Sequence, residues 1–213
     1  MKHVGILGAG DVGQTLARGF LDKGYSVKVG SRNGERAALL DTKMGEDIDT
    51  GTFAEVADWA ELVVLAVKGT AAEGLAGELA DTLADKVVID VTNPISDEEP
   101  ERGVLKFFTT LESSLGERIQ LAAPKAYVVK AWNSVGHSNM VDPDFGVVPT
   151  MPICGNNEEA RQEVAGILVQ FGWEVEDMGS IVSSRAIEPL CMLGCIPGFQ
   201  RGDWDHVFKM VRR

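Results

Sequence analysis

Residues 4–33 constrain the fold more than any other stretch. A short apolar run, Val4 to Leu7, meets the glycine-rich turn Gly8-Ala9-Gly10-Asp11-Val12-Gly13. A segment with Val12, Leu16 and Phe20 at helical spacing follows and is stopped by Gly24, after which Tyr25 to Gly30 leads into Ser31-Arg32-Asn33. With 24 glycines among 213 residues, a GxGxxG spacing alone carries little weight. Its context carries much more: the turn closes a strand, opens a helix and starts a βαβ unit, the arrangement that brings backbone N–H groups and a helix N-terminus against a pyrophosphate. The pattern implies a dinucleotide site.

The rest of the chain continues the alternation. Helices are predicted over Glu35 to Met44, Phe53 to Ala60 and Ala71 to Leu83, with near-continuous apolar strands at Leu62 to Val67 and Val87 to Val91 and a short strand within Asp47 to Thr52. Strands that are apolar throughout, separated by helices, mean a parallel sheet covered on both faces. From Ser96 to Pro124 the pattern loosens around the acidic turn Asp97-Glu98-Glu99-Pro100-Glu101, and Leu111, Leu115 and Ile119 mark a helix. A strand over Ala126 to Trp132 follows, then a strand-helix-strand unit at Val148 to Cys154, Asn157 to Phe171 and Trp173 to Asp177. Ser180 to Cys195 reads as an apolar helix interrupted by Pro189, and Gly198 to Arg213 as a tail. The expectation is an α/β fold with a Rossmann-type, doubly wound, mostly parallel sheet of about eight strands and a small C-terminal helical portion. The dinucleotide-binding domain is predicted over 1–124. A smaller portion, 125–213, continues the sheet.

Composition removes several function classes. Thirty-two acidic against twenty basic side chains leave a formal charge of −12, which offers no footing for nucleic acid or an anionic membrane. No apolar run reaches membrane-spanning length, and Lys2 and His3 alone precede the first strand, so a cytoplasmic location without membrane insertion is expected. The three histidines are scattered and no HExxH or CxxC spacing occurs, so no metal site is predicted. Cys191 and Cys195 share one helix face and read either as packed small residues or as a redox pair. Neither a nucleophile elbow nor a Walker loop is present.

The end of the second strand discriminates between dinucleotides. An NAD site places an acidic residue there for the ribose 2′-OH. Here Ser31, Arg32 and Asn33 stand at that position, with Arg36 one turn later. A guanidinium can grip a 2′-phosphate bidentately and lie on the adenine ring. NADP(H) is therefore favoured, the other reading of Arg32 and Arg36 being ordinary solvated residues. Ligands of such sheets lie across the carboxyl ends of the strands, so Gly8, Ala9, Gly10, Asp11, Val12 and Gly13 are assigned to the pyrophosphate. Ser31, Arg32, Asn33 and Arg36 are assigned to the adenosine phosphate, and Ala66, Val67, Lys68, Asn93, Pro94 and Ala131 to the remainder of the cofactor. Asn133, Ser134 and His137 are the candidates beyond the nicotinamide, with Asn133 and His137 the nearest to a catalytic assignment. Lys68 and Lys130 could pair with phosphates or an anionic substrate, or be rim lysines without a role.

Taken together, Gly8 to Gly13, Val29-Gly30-Ser31-Arg32-Asn33, Val128-Val129-Lys130-Ala131-Trp132-Asn133, Ile153-Cys154-Gly155-Asn156 and Asp177-Met178-Gly179-Ser180 resemble the coenzyme F420-dependent NADP oxidoreductase family. They also resemble the NADPH-binding portion of transmembrane metalloreductases, most closely in the Val-Val-Lys-Ala-Trp-Asn stretch. The resemblance implies NADPH, hydride transfer to a flavin-like ring such as F420, FMN or FAD as the small-molecule acceptor, and a homodimer. It also departs in one place, since the archaeal F420 enzymes tend to carry histidine where Asn133 stands. Two other readings stay open: a non-catalytic NADPH-binding regulator, and a reductase of small imine or carbonyl compounds in which Lys68 or Lys130 would face the nicotinamide.

Overall fold

The computed structural model describes residues 2–32 and 48–213. Fourteen α-helices and strands occur among them. In chain order they are β1 (His3–Leu7), α1 (Asp11–Asp22), β2 (Ser26–Ser31), β3 (Asp49–Thr52), α2 (Phe53–Trp59), β4 (Leu62–Leu65) and α3 (Gly69–Glu78). There follow β5 (Val87–Asp90), α4 (Leu115–Ala122), β6 (Tyr127–Lys130), β7 (Thr150–Gly155), α5 (Glu158–Gln170), β8 (Glu174–Asp177) and α6 (Ser184–Arg201). The predicted helix over Glu35 to Met44, with Asn33 and Arg36, lies outside the described residues.

All eight strands form one sheet in the order β3-β2-β1-β4-β5-β6-β7-β8. The first six are mutually parallel, with Ile6 opposite Val29 on one side and Val64 on the other. Strand order reverses between β1 and β4, the crevice where sheets of this kind hold ligands. β7 runs against β6, and β8 runs parallel to β7. The sheet is thus parallel over six strands and closed on one side by a reversed pair.

Alternation along each strand feeds two cores. Val4, Ile6, Leu62, Val64 and Ile89 pack with Leu16 and Phe20 of α1 and with Val164 and Leu168 of α5 on one face. Leu7, Val63, Leu65 and Val88 pack with Val56, Leu75, Leu115, Ile119 and Ile187 on the other. A strand apolar at every position is what two covered faces require.

Local chemistry sets most boundaries. Thr52 and Ser114 each form a reciprocal capping box with the glutamate three residues on, starting α2 and α4, while the Asn157 side chain caps α5. The Ser114 cap explains why Leu111, predicted on that helix, instead sits before it and is exposed. α6 corrects a second expectation. It runs unbroken through Pro189 and Pro197 to Arg201, so the predicted interruption does not occur and the tail begins at Gly202 rather than Gly198. Each proline removes one backbone donor, and packing of α6 on β7 and α4 holds the helix regardless. No helix among the described residues is long and apolar enough to cross a membrane.

Candidate dinucleotide and acceptor site

The three glycines of the first turn do not all serve the same purpose. Gly8 has φ +133°, and a Cβ there would stand 2.2 Å from the Ala66 carbonyl oxygen, because the turn is pressed between its bond to Gly30 and the neighbouring strand end. At Gly13 a Cβ would meet the Gly8 carbonyl oxygen at 1.9 Å, so α1 closes directly onto the turn. Gly10 is exposed and nothing lies within 4 Å of its would-be Cβ. Two glycines therefore let protein pack on protein, and the third leaves backbone bare toward the crevice. That division of roles suits a pyrophosphate. α1 adds its unpaired first-turn N–H groups, since its N-cap Gly10 supplies no side-chain acceptor.

At the tip of β2, Ser31 is buried, its Oγ has no hydrogen-bond partner among the described residues, and Arg32 beside it is exposed. An orphaned hydroxyl next to an exposed guanidinium fits an anionic group such as a 2′-phosphate. Ala66 and Val67 are half-buried after β4. Lys68 is exposed and ion-paired with Asp97, which places it on the rim.

The strand ends beyond the crevice converge. Asn93 Nδ2 donates to the Asn133 carbonyl at 2.8 Å, and Asn133 Nδ2 donates to Asn93 Oδ1 at 3.2 Å and to the Ile187 carbonyl of α6 at 3.1 Å. Asn133 is 3% exposed, and its Oδ1 has no partner among the described residues. Pro94 and Ala131 are buried beside this pair. Asn133 is aimed by Trp132, which holds a left-handed φ of +56° although bulky. Such a backbone costs roughly 1–3 kcal/mol. Full burial of the indole against Phe20 and Phe171, with Nε1 donating to the Met140 carbonyl, offsets it. Further along the chain, Ser134 is buried while His137 is exposed on a short turn, its Nδ1 3.5 Å from Thr15 Oγ1 of α1. The structure therefore brings Asn93, Pro94, Ala131 and Asn133 together and leaves His137 apart, at the surface over α1.

Lys130 overturns its sequence reading. It is fully buried, with Nζ 2.6 Å from Asp90 Oδ2, 3.0 Å from Glu188 Oε1 and 2.9 Å from the Thr92 carbonyl. Three oxygens surround an ammonium that has three hydrogens, so Lys130 can face neither a phosphate nor an imine substrate. Burial alone would depress this ammonium; the Asp90 and Glu188 carboxylates outweigh it and hold the pKa above the ordinary lysine value. Glu188 also accepts from the Leu115 and Gly116 N–H groups at the start of α4. Sequence reasoning passed over Asp90 and Glu188. The one available signal was an aspartate closing an otherwise apolar strand, Val87-Val88-Ile89-Asp90.

Fold and turn together define a dinucleotide-binding α/β protein with the strand order of a Rossmann domain. A family profile described as NADP oxidoreductase, coenzyme F420-dependent, matches residues 3–94. A solved structure of a candidate F420-dependent NADP reductase from Arthrobacter sp. FB24 is 32% identical, with a TM-score of 0.91 over 100% of both chains. The F420-dependent NADP reductase of Methanocaldococcus jannaschii is 27% identical over 203 residues, 91% of this chain and 90% of that protein. The metalloreductase STEAP3 of Rattus norvegicus is 33% identical over 189 residues, 88% of this chain but 36% of that protein. The chain thus spans about a third of the metalloreductases it matches. It belongs to the coenzyme F420-dependent NADP oxidoreductase family.

Proposed function

We propose that this protein transfers hydride between NADPH and a planar redox ring, a deazaflavin of the F420 kind or a flavin. The observation that carries the reading is the turn at Gly8, Gly10 and Gly13, with Arg32 standing where an NAD site would place an acid. When bound, NADPH supplies the hydride from its nicotinamide. The chain's own residues bind and orient. The turn and the α1 N-terminus would hold the pyrophosphate, Ser31 and Arg32 the 2′-phosphate, and the Asn93–Asn133 pair the carboxamide end. Among the described residues, nothing at the converging strand ends is set up for acid-base work, since Lys130 is closed off and His137 lies apart. A reaction between two stacked rings asks for little else, because proximity and orientation supply most of the rate.

The finer parts of this reading rest on the sequence. The division at 124/125, with 125–213 carrying acceptor and dimer contacts, is supported by α6 reaching Asn133 through Ile187. A cytoplasmic location is supported by three free thiols, Cys154, Cys191 and Cys195, and the homodimer rests on the resemblance alone. An acceptor screen tests the function directly. Purified protein with NADPH is offered F420, FMN, FAD and a ferric chelate while the reduced-nicotinamide absorbance is followed. Turnover with a ring acceptor is expected. Tight NADPH binding without turnover on any acceptor would favour the regulator, and binding of NADH in preference to NADPH would reject the cofactor assignment.

A further inference from the structure

A fully buried charge cluster lies behind the crevice rather than in it. Asp90, Lys130 and Glu188 are 0–2% exposed and come from three elements, β5, β6 and α6. Apolar residues of similar volume usually give equal or greater stability than such a buried cluster, so what it holds in place becomes the informative question. Asp90 Oδ1 accepts from Thr92 N at 2.9 Å and Thr92 Oγ1 at 2.6 Å, and Lys130 Nζ donates to the Thr92 carbonyl at 2.9 Å. Every polar group of Thr92 is thereby tied down. The next residue is Asn93, whose carbonyl is packed so closely on α3 that a Cβ at Gly69 would stand 1.9 Å from it. Asn93 pairs with Asn133, Asn133 donates to the Ile187 carbonyl, and Ile187 precedes Glu188. The links close a ring from Lys130 through Thr92, Asn93, Asn133 and α6 back to Lys130.

We propose that Lys130 is a positioning residue for the nicotinamide half of NADPH, acting through Thr92 on the Asn93–Asn133 pair. This rests on the NADPH reading above. The adenine half would lie at the tip of β2, four strand spacings or about 19 Å from β6, so the two halves of the cofactor can be probed separately. 2′,5′-ADP reports on the adenine half alone, and NADPH reports on both, with its own emission sensing how firmly the nicotinamide is held. The test compares wild type with Lys130→Met, and with Asp90→Asn/Lys130→Met/Glu188→Gln, which leaves no charge buried. Expected is a 2′,5′-ADP affinity within about twofold of wild type, NADPH weakened by about tenfold or more, the scale of lost hydrogen bonds, and bound NADPH emission falling toward the free value. A merely structural cluster would change both ligands by the same factor or change neither, and either result overturns the proposal. If Lys130→Met fails to fold, the triple variant decides; failure of both would assign the cluster to stability and overturn the proposal as well. Wild-type protein that binds 2′,5′-ADP and NADPH equally removes the nicotinamide contacts on which Lys130 is said to act. Wild type that binds neither rejects the cofactor assignment itself.

Discussion

Replacing Gly10 and Gly13 separately by alanine should separate stability from cofactor binding, although the two are three residues apart. At Gly13 the added methyl would lie 1.9 Å from the Gly8 carbonyl oxygen, so α1 or the turn must retreat by about 1 Å to reach the shortest contact proteins tolerate. Overpacking against backbone costs about 1–3 kcal/mol, which in a chain of this size lowers Tm by roughly 3–10 °C. Gly10 is an N-cap with φ −81° and ψ −177°, an ordinary extended conformation, and its added methyl meets no protein atom. Gly10→Ala should therefore keep Tm within about 2 °C of wild type. On the proposed placement of the pyrophosphate the methyl stands between a phosphate oxygen and the backbone, and losing a charged hydrogen bond there costs about 1.5–3 kcal/mol, or ten- to a hundredfold in affinity. Thermal melts and NADPH titration by fluorescence read the two effects. A Gly10→Ala protein that is fully folded and binds NADPH like wild type would refute the placement of the pyrophosphate. Equal destabilisation by the two substitutions would refute the division of roles among the glycines.

Arg32→Ala should weaken NADPH by about 1.5–3 kcal/mol and leave NADH nearly unchanged; equal losses in parallel titrations would reject the 2′-phosphate role. Glu117 is gripped by Arg185 through two bonds of 2.6 and 2.8 Å, and that guanidinium holds its carboxyl at about 2, below the ordinary 4.5. A depressed folded pKa contributes stability above the unfolded value that disappears as pH falls toward the folded one. Glu117→Gln should accordingly be about 1–2 kcal/mol less stable near neutrality, allowing for solvent screening of this partly exposed pair. Urea midpoints should converge between about pH 5 and pH 2, and a gap unchanged across that range would count against the pairing. Burial pushes the Cys154 thiol up to about 12, whereas Cys195 is lowered by a hydrogen bond from Cys191. Mass spectrometry after brief alkylation should find Cys195 modified first and Cys154 only on unfolding; early labelling of Cys154 would contradict its burial.

The parts of the fold readable from sequence were those dictated by neighbours in the chain. Gly8, Gly10 and Gly13 lie between a strand and a helix, and an unbroken apolar run such as Leu62 to Leu65 announces a strand covered on both sides. The capping residue Asn157 and the stop at Gly24, with φ +83°, are likewise local chemistry. What escaped depended on residues far apart. Asp90, Lys130 and Glu188 are separated by 40 and 58 positions, and lysine is so seldom fully buried that a surface reading of Lys130 was natural. The unbroken course of α6 escaped for the same reason. Two prolines argue against a long helix locally, and only its seat on β7 and α4 overrides them. The pairing of Asn93 with Asn133 spans 40 positions and follows from adjacency of β5 and β6, although each residue had been singled out separately.

The reversal of β7 decides where the last residues of the chain lie. Because β8 finishes at the opposite edge of the sheet from the crevice, α6 must climb back along it, and 18 residues at 1.5 Å each give it about 27 Å for the journey. The closing segment then folds over the start of β7, with Thr150 N donating to the Phe208 carbonyl and Asn139 bonded to Asp205 beside the His137 turn. The amino end, by contrast, enters β1 in the middle of the sheet, at the strand end opposite the crevice. An affinity tag appended after Arg213 would leave from beside β8, where Arg212 pairs with Glu176 four strand spacings from β4, whereas one placed ahead of His3 would trail from the end of β1 opposite the crevice.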